Sequence, residues 1–214
     1  LKHWILRYGL WLVIPFTWHA IFLTGSRGGL LGIGVTMMFW ILRTRQFVLG
    51  TAMLAAFAGA FLWQGGELLT RTERVSDTYE DDYAAVSRIE AWIAALRMIR
   101  GEPVTGIGLA AFQAAFRTYA PEFPPRVTHN TVLEIAAESG ILAAVGWLGA
   151  VILVVFGLMR WVQRLKPLVP ENDDARLVSY ICEATITAMV GFAACSVFLS
   201  LKGYEAFFLS LIHI

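Results

Sequence analysis

Residues 131–159, with the sequence TVLEIAAESGILAAVGWLGAVILVVFGLM, contain no basic side chain. A run of about 20 apolar residues is long enough to cross the hydrocarbon core of a bilayer as a helix. The acidic residues of the run, Glu134 and Glu138, both lie near its start. The stretch therefore predicts a membrane-crossing helix with a polar beginning at one membrane boundary.

The whole chain has the composition of a membrane protein. Of its 214 residues, 57% are hydrophobic and 15% are charged, and the mean hydropathy is +0.63. Soluble domains carry about 25% charged residues. The net charge of +1 gives no reason to expect a nucleic-acid partner. Cys182 and Cys195 fall in one apolar span, roughly 20 Å apart on different faces of a straight helix, so no disulfide is expected.

Five apolar segments are candidates for membrane helices: residues 4–23, 28–42, 47–63, 131–159 and 177–201. Basic residues cluster before the first segment, between the second and third, and between the fourth and fifth. The positive-inside rule assigns these three clusters to the cytoplasm. By alternation, the turn at residues 25–28 and the segment 64–130 are expected to face outward.

These patterns predict an all-α fold, a polytopic transmembrane helix bundle with a helical cap on its outer side between membrane helices. Residues 1–63 are expected to form three transmembrane helices, 64–130 the outer helical cap, and 131–208 two transmembrane helices with a cytoplasmic connection. Residues 209–214 resemble a translated sequencing-adapter sequence and are predicted to be an artefact. Because Leu1 is no initiator and the first apolar segment begins almost at once, the chain is expected to be part of a larger bundle.

The outer segment should contain helices of its own, since about 65 residues are too many for a plain loop. Apolar residues at helical spacing predict an amphipathic helix that ends at Gly101 and Pro103. A glycine turn at 106–108 and a second, short helix ended by prolines are expected to follow. The apolar residues that carry these two helices are Ala85, Ile89, Trp92, Ile93, Leu96 and Ile99, then Phe112, Phe116 and Tyr119.

His129 is the histidine with the strongest case for chemistry, because imidazole exchanges protons near neutral pH. It stands where an arginine-containing segment meets the apolar run. Residues 131–134 resemble a capping box, and a helix N-terminus there would also favour anions. A polar boundary residue without chemistry is the alternative. His19 lies among apolar neighbours and is expected to pack or hydrogen-bond in the core.

Two arginines are candidate ligands for an anion. Arg27 lies among small residues in the stretch TGSRGG (24–29), and an arginine at membrane depth is usually functional or paired. A snorkelling turn residue is the alternative for Arg27, and a solvated surface position is the alternative for Arg88. The acidic pairs at 81–82 and 173–174 lack the spacing of an Asp-x-Asp metal motif and are expected to be solvated.

Three elements taken together resemble the C-terminal half of the O-antigen ligase family. They are Ser26-Arg27-Gly28-Gly29 between two spans, Arg88 before Trp92, and His129-Asn130 before Leu133-Glu134-Ile135 and Glu138-Ser139-Gly140-Ile141. The resemblance covers about residues 23–149. Ala143-Ala144 departs from it, because a glycine is expected soon after Gly140-Ile141.

The resemblance implies a multi-pass enzyme of the bacterial inner membrane, with a periplasmic active site and with the helical cap at 64–130 in the periplasm. It implies transfer of a glycan from an undecaprenyl-pyrophosphate carrier to lipid A core or to protein, among membrane lipids and without a metal or cofactor. Arg27 and Arg88 would bind the pyrophosphate, and His129 would act as the catalytic base. Ser26, Asn130, Glu138 and Arg126 are secondary site candidates.

Three other functions compete with this one. An O-antigen polymerase would share the donor and the site but use a glycan acceptor, and no residue in the chain separates it from a ligase. A transporter or flippase of lipid-linked glycans would favour inverted repeats, which the sequence lacks. A non-catalytic scaffold predicts that Arg27, Arg88 and His129 are scattered rather than gathered at one cavity.

Overall fold

The computed structural model describes residues 4–24, 26–75 and 79–198, and every regular element in these ranges is an α-helix. The predicted all-α class is confirmed. Contacts divide the chain into two units, at residues 1–77 and 78–214. The helices of the first unit are α1 (Trp4–Thr24), α2 (Arg27–Thr44) and α3 (Phe47–Val75). Those of the second are α4 (Tyr79–Gly101), α5 (Phe112–Tyr119), α6 (Thr131–Ser139), α7 (Ile141–Leu165) and α8 (Asp173–Ser196).

Helices α7 and α8 are long and apolar enough to cross a membrane, judged by length and composition. The apolar stretches of α1, α2 and α3 are shorter in the described residues. The five predicted crossings, their sidedness and the division into bundle and cap therefore stay predictions. Lys2, His3, Gly25 and residues 199–214, which include the predicted artefact, lie outside the described residues.

The first unit is held by a tight α2–α3 hairpin and by aromatic contacts between α1 and α3. A Cβ atom on Gly50 would lie 2.2 Å from Cγ1 of Ile41, so the two helices approach as closely as a glycine allows. Phe22 stacks on Phe57 with ring centroids 5.3 Å apart. His19 is exposed on α1, contrary to its predicted place in a core, because three helices cover little of each other's surface.

The second unit has a core of small side chains on α4, packed against aromatic residues of α5. The predicted helix end at Gly101 is confirmed, but the predicted apolar stripe is wrong in part. Ile89 and Leu96 are 54% and 51% exposed. Small side chains let helices approach closely, and this close fit decides which face of α4 is buried. The buried core consists of Ala91, Ala94, Ala95, Met98, Phe112, Phe116, Ala120 and Ala137.

The predicted fourth apolar segment is two helices rather than one. Helix α6 ends at Ser139 and α7 begins at Ile141, with Gly140 between them at φ +89°. The α4–α5 loop (residues 102–111) closes over this junction, where the Pro103 carbonyl accepts a 2.8 Å hydrogen bond from the Ile141 N–H. Residues 131–139 consequently pack with α4, and α7 alone carries the long apolar run.

Helices α7 and α8 form an antiparallel hairpin. The ring centroids of Trp147 and Phe192 lie 6.3 Å apart between them. Asn172 caps α8 by accepting hydrogen bonds from the N–H groups of Asp174 and Ala175. Cys182 and Cys195 form no disulfide, as the sequence predicted.

Candidate active site at the start of α6

His129 lies at the entrance to α6 with its backbone in the left-handed region, at φ +49°. Few residues other than glycine adopt this conformation, and histidine tolerates it better than most. The residue before it, Thr128, is fully buried. The residue after it, Asn130, is the N-cap of α6. The local backbone therefore holds the imidazole at a defined place beside a helix N-terminus.

The cap of α6 differs from the predicted one by one residue. The Asn130 side chain accepts a 3.0 Å hydrogen bond from the Leu133 N–H, and Asn130 is extended at φ −153°. Thr131 is already the first helical residue and is fully buried, so it does not act as the N-cap. Asparagine is among the best N-cap residues, which explains why the helix begins here.

Trp92 of α4 contacts the backbone directly before His129. Its indole N–H donates a 3.0 Å hydrogen bond to the carbonyl of Thr128. Arg88 precedes Trp92 by four residues, so the two side chains share one face of α4. The face that carries Arg88 is therefore the face that meets the start of α6.

The electrostatics of His129 agree with this placement. Burial of the imidazole, followed by the positive charge of Arg88, lowers the pKa of His129 below its usual value, and the Glu134 carboxylate opposes the shift. The residue as a whole is exposed, so this burial of the imidazole is only partial. A lowered pKa keeps the imidazole neutral near pH 7, as a general base requires.

Arg88 differs from its neighbouring arginines in its contacts. Arg126 forms a two-point ion pair with Glu90, each contact 3.2 Å long and each side chain only 17% exposed. Arg97 binds Glu122 and the Tyr119 carbonyl. Arg88 is half-buried and forms no ion pair with an acidic residue whose side chain the structure describes. Its positive charge acts on His129, whose pKa it lowers.

The secondary site candidates all have structural contacts. Both oxygens of the buried Glu138 carboxylate accept backbone hydrogen bonds, from Ala110 at 3.0 Å and Phe112 at 3.1 Å. The Ser26 hydroxyl caps α2 by accepting a hydrogen bond from the Gly29 N–H. Asn130 caps α6, and Arg126 forms an ion pair with Glu90. Their roles toward a substrate stay predictions.

Arg27 is the first residue of α2, directly after the Ser26 cap. Its side chain, like those of Asp81 and Asp82, lies outside the described residues. The structure therefore brings together Arg88 and His129, and the convergence of Arg27 with them stays a prediction. Within the described ranges, no three His, Cys, Asp or Glu side chains form a group that could hold a metal ion.

Sequence reasoning missed two residues of this site. The sequence prediction gives Trp92 no role at the site beyond the apolar stripe and the resemblance, although its spacing from Arg88 indicates that the two share one face of α4. The sequence prediction gives Glu134 no role toward His129, yet Glu134 is 5% exposed and its charge acts on His129. Its position one turn into α6 was the available signal.

A family model described as O-antigen ligase matches residues 11–148, which is more than half of the chain. The chain belongs to the O-antigen ligase family, a membrane-associated family of glycan-transfer proteins. The matched region includes Arg27, Arg88 and His129. No curated protein and no solved structure matches the chain.

Proposed function

We propose that the protein is a metal-independent glycosyltransferase of the ligase type, which transfers a glycan from an undecaprenyl-pyrophosphate carrier to an acceptor hydroxyl on lipid A core or protein. The reaction is placed on the periplasmic face of the inner membrane. Family membership supports the reaction class. The observation that carries the mechanism is the pairing of Arg88 with His129 at the start of α6.

The donor side of the reaction needs positive charge. When the bond between the anomeric carbon and the pyrophosphate oxygen breaks, negative charge grows on the leaving group and positive charge on the sugar. The Arg88 guanidinium can bind phosphate oxygens in a two-point contact, and it stabilises the charge that develops there. Arg27 is assigned the same role from the resemblance. Two arginines and a good leaving group make a metal unnecessary.

The acceptor side needs a base. A ring nitrogen of the neutral His129 imidazole removes the proton from the acceptor hydroxyl as its oxygen bonds to the anomeric carbon. The electron pair of the broken bond leaves with undecaprenyl pyrophosphate. The resulting imidazolium is stabilised by Glu134 and destabilised by Arg88, and it then loses its proton to water. The base is thereby returned to its neutral form.

The proposal is tested by in vitro transfer with the full-length protein, undecaprenyl-pyrophosphate glycan and separate acceptors. We expect glycan transfer to lipid A core or to protein that persists in the presence of a chelator. Activity that is lost on chelation and restored by magnesium or manganese would contradict the metal-free mechanism. Extension of the glycan alone would identify a polymerase, and movement of the donor across vesicles without bond breakage would identify a transporter.

A pH prediction follows from the two charges that act on His129. Because Arg88 lowers the pKa of His129, Arg88→Gln is expected to raise it, and the acidic limb of the activity profile should move to higher pH. Because Glu134 raises the pKa, Glu134→Gln is expected to move the limb to lower pH. The measurement is turnover against pH, with the His129 titration followed by NMR of ¹³C-histidine protein. Shifts of the same sign in both variants would contradict the assignment.

A second prediction concerns the shape of the Arg88 side chain. Arg88→Ala is expected to weaken donor binding and turnover together, because the phosphate charge is present in the ground state and grows in the transition state. Arg88→Lys should recover only part of the loss, since lysine keeps the charge but not the planar fork. Arg117→Ala is the matched control, an exposed arginine elsewhere in the same unit. Full activity in Arg88→Ala would show that Arg88 does not take part in donor binding or transfer.

A further inference from the structure

The α4–α5 loop presents two large apolar side chains to the outside of the second unit. Val104 is 63% exposed and Leu109 is 85% exposed. A single exposed leucine carries no meaning by itself, because much of any protein surface is apolar. The surroundings of these two residues distinguish them.

The loop lies against the beginning of a membrane-length helix. The Pro103 carbonyl accepts a hydrogen bond from the first N–H of α7, at Ile141, with a length of 2.8 Å. The Val104 carbonyl oxygen lies 2.0 Å from the position that a Cβ atom on Gly140 would take. From Ile141 to Met159 the chain has no charged residue. The loop therefore lies beside the point where an uncharged, apolar helix starts.

The exposed apolar surface continues from the loop into α7. Ile141, Leu142 and Val145, in the first turns of α7, are 45%, 71% and 60% exposed. Val104, whose backbone lies against Gly140, is next to this exposed apolar face of a candidate membrane span. A bilayer around α7 would meet the loop as well.

The backbone of the loop is suited to such an environment. The N–H groups of Ile107 and Gly108 donate to the carbonyls of Ala137 and Glu138, at 2.9 and 3.0 Å. Those of Ala110 and Phe112 donate to the buried Glu138 carboxylate. Unsatisfied backbone groups are what keep irregular segments out of lipid, and these four groups are satisfied within the protein.

The outward position of Leu109 is also imposed by the backbone. Ala110, directly after it, is held at φ +56°, a left-handed conformation that is unfavourable for alanine. The two hydrogen bonds to Glu138 fix the turn on either side of Ala111. A strained turn held by a buried carboxylate keeps Leu109 pointing away from the protein core.

We propose that Val104 and Leu109 insert into the interfacial region of the bilayer beside the start of α7 and anchor the α4–α5 loop there. The partner is the lipid bilayer itself, and the driving force is the removal of apolar surface from water. Glu102, exposed at the start of the loop, belongs at the level of the headgroups and limits the insertion to a shallow depth. This inference does not depend on the reaction that the protein catalyses.

The test uses nitroxide spin labels on the full-length protein in phosphatidylcholine–phosphatidylglycerol nanodiscs. The native thiols are first removed by Cys182→Ala and Cys195→Ala, and labels are placed by Val104→Cys and Leu109→Cys. Arg117→Cys on α5, an exposed polar position, is the matched control. Collision rates with oxygen, which concentrates in lipid, and with a water-soluble nickel chelate are then compared at each position.

We expect labels at 104 and 109 to show an oxygen-to-nickel collision ratio severalfold higher than the label at 117. Equal ratios at all three positions would place the loop in water and overturn the proposal. Labels at 104 and 109 that neither reagent reaches would mean that another protein segment covers them, which also overturns it. Adding Glu138→Gln, which leaves one acceptor where the carboxylate had two, should increase label mobility at 109 and lower its ratio. Unchanged mobility and an unchanged collision ratio of the label at 109 would show that Glu138 does not hold Leu109 in place.

Discussion

Replacing His129 with asparagine is expected to lower the turnover of glycan transfer by about 10²–10⁴-fold, the contribution of a positioned general base. Asparagine is the informative replacement because it tolerates the left-handed backbone of this position and cannot accept a proton near pH 7. Donor binding should change little, since the proton transfer belongs to the transition state alone. The measurement is turnover and donor affinity of the purified variant, with thermal unfolding as a check on the fold.

Two companion variants sharpen this result. His129→Ala should lose the same turnover but also some stability, because alanine is strained at φ +49°. His19→Ala, at an exposed position of α1, should keep its activity per folded molecule. Near-normal turnover in His129→Asn, together with loss of turnover in His19→Ala, would show that the base has been misassigned.

The largest effect on stability is expected from Gly140→Ala. Gly140 has φ +89° and ψ 165°, a region that is essentially restricted to glycine and costs another residue about 1–3 kcal/mol. Its new Cβ would also lie 2.0 Å from the Val104 carbonyl oxygen, which is backbone and cannot turn away. The loop would have to withdraw from the α6–α7 junction, breaking the hydrogen bond from Ile141 to Pro103.

The matched control is Gly146→Ala, one of the helical glycines of α7. A Cβ atom at Gly146 would meet nothing within 4 Å, and alanine favours the helix over glycine by about 1 kcal/mol. Apparent unfolding temperatures in detergent, at one scan rate, should therefore fall clearly for Gly140→Ala and stay level or rise for Gly146→Ala. If both variants unfold at the same temperature, the loop does not clamp the junction as described.

Short-range signals in the sequence predicted helices α4 and α5 well. Gly101 and the residues after it end α4, and Phe112, Phe116 and Tyr119 lie on the short helix α5, as expected. These features depend on local backbone chemistry, in which proline and glycine decide where a helix can continue. The end of α4 and the position of α5 could therefore be found without knowledge of the tertiary structure.

The buried face of α4 and the break at Gly140 could not be found in this way. Large apolar side chains also occur singly on protein surfaces, so Ile89 and Leu96 did not mark the buried side. Ala91 and Ala94 are buried because a neighbouring helix comes close, and that approach depends on distant parts of the chain. The junction at Gly140 likewise depends on a loop more than 30 residues earlier in the sequence.

The candidate site was predictable in its residue types but not in its contacts. His129 and Arg88 could be named from their positions, and the structure places them near each other. The ion pair between Arg126 and Glu90 joins residues far apart in sequence, so nothing local distinguished Arg126 from a phosphate ligand. The hydrogen bond from Trp92 to Thr128 could not be predicted either, because these two residues are also far apart in sequence.

The shortness of α6 sets a strict limit on how this region can change in length. Its 9 residues separate His129 from the junction with α7 by roughly 14 Å, at about 1.5 Å per residue. One residue inserted within α6 would rotate the imidazole by about 100° around the helix axis, away from Arg88 and Trp92. Residues 121–127, which form no helix, can absorb insertions without such a rotation. Related chains should therefore vary in length before the residue that matches His129, and they should keep the same number of residues between it and the glycine that matches Gly140.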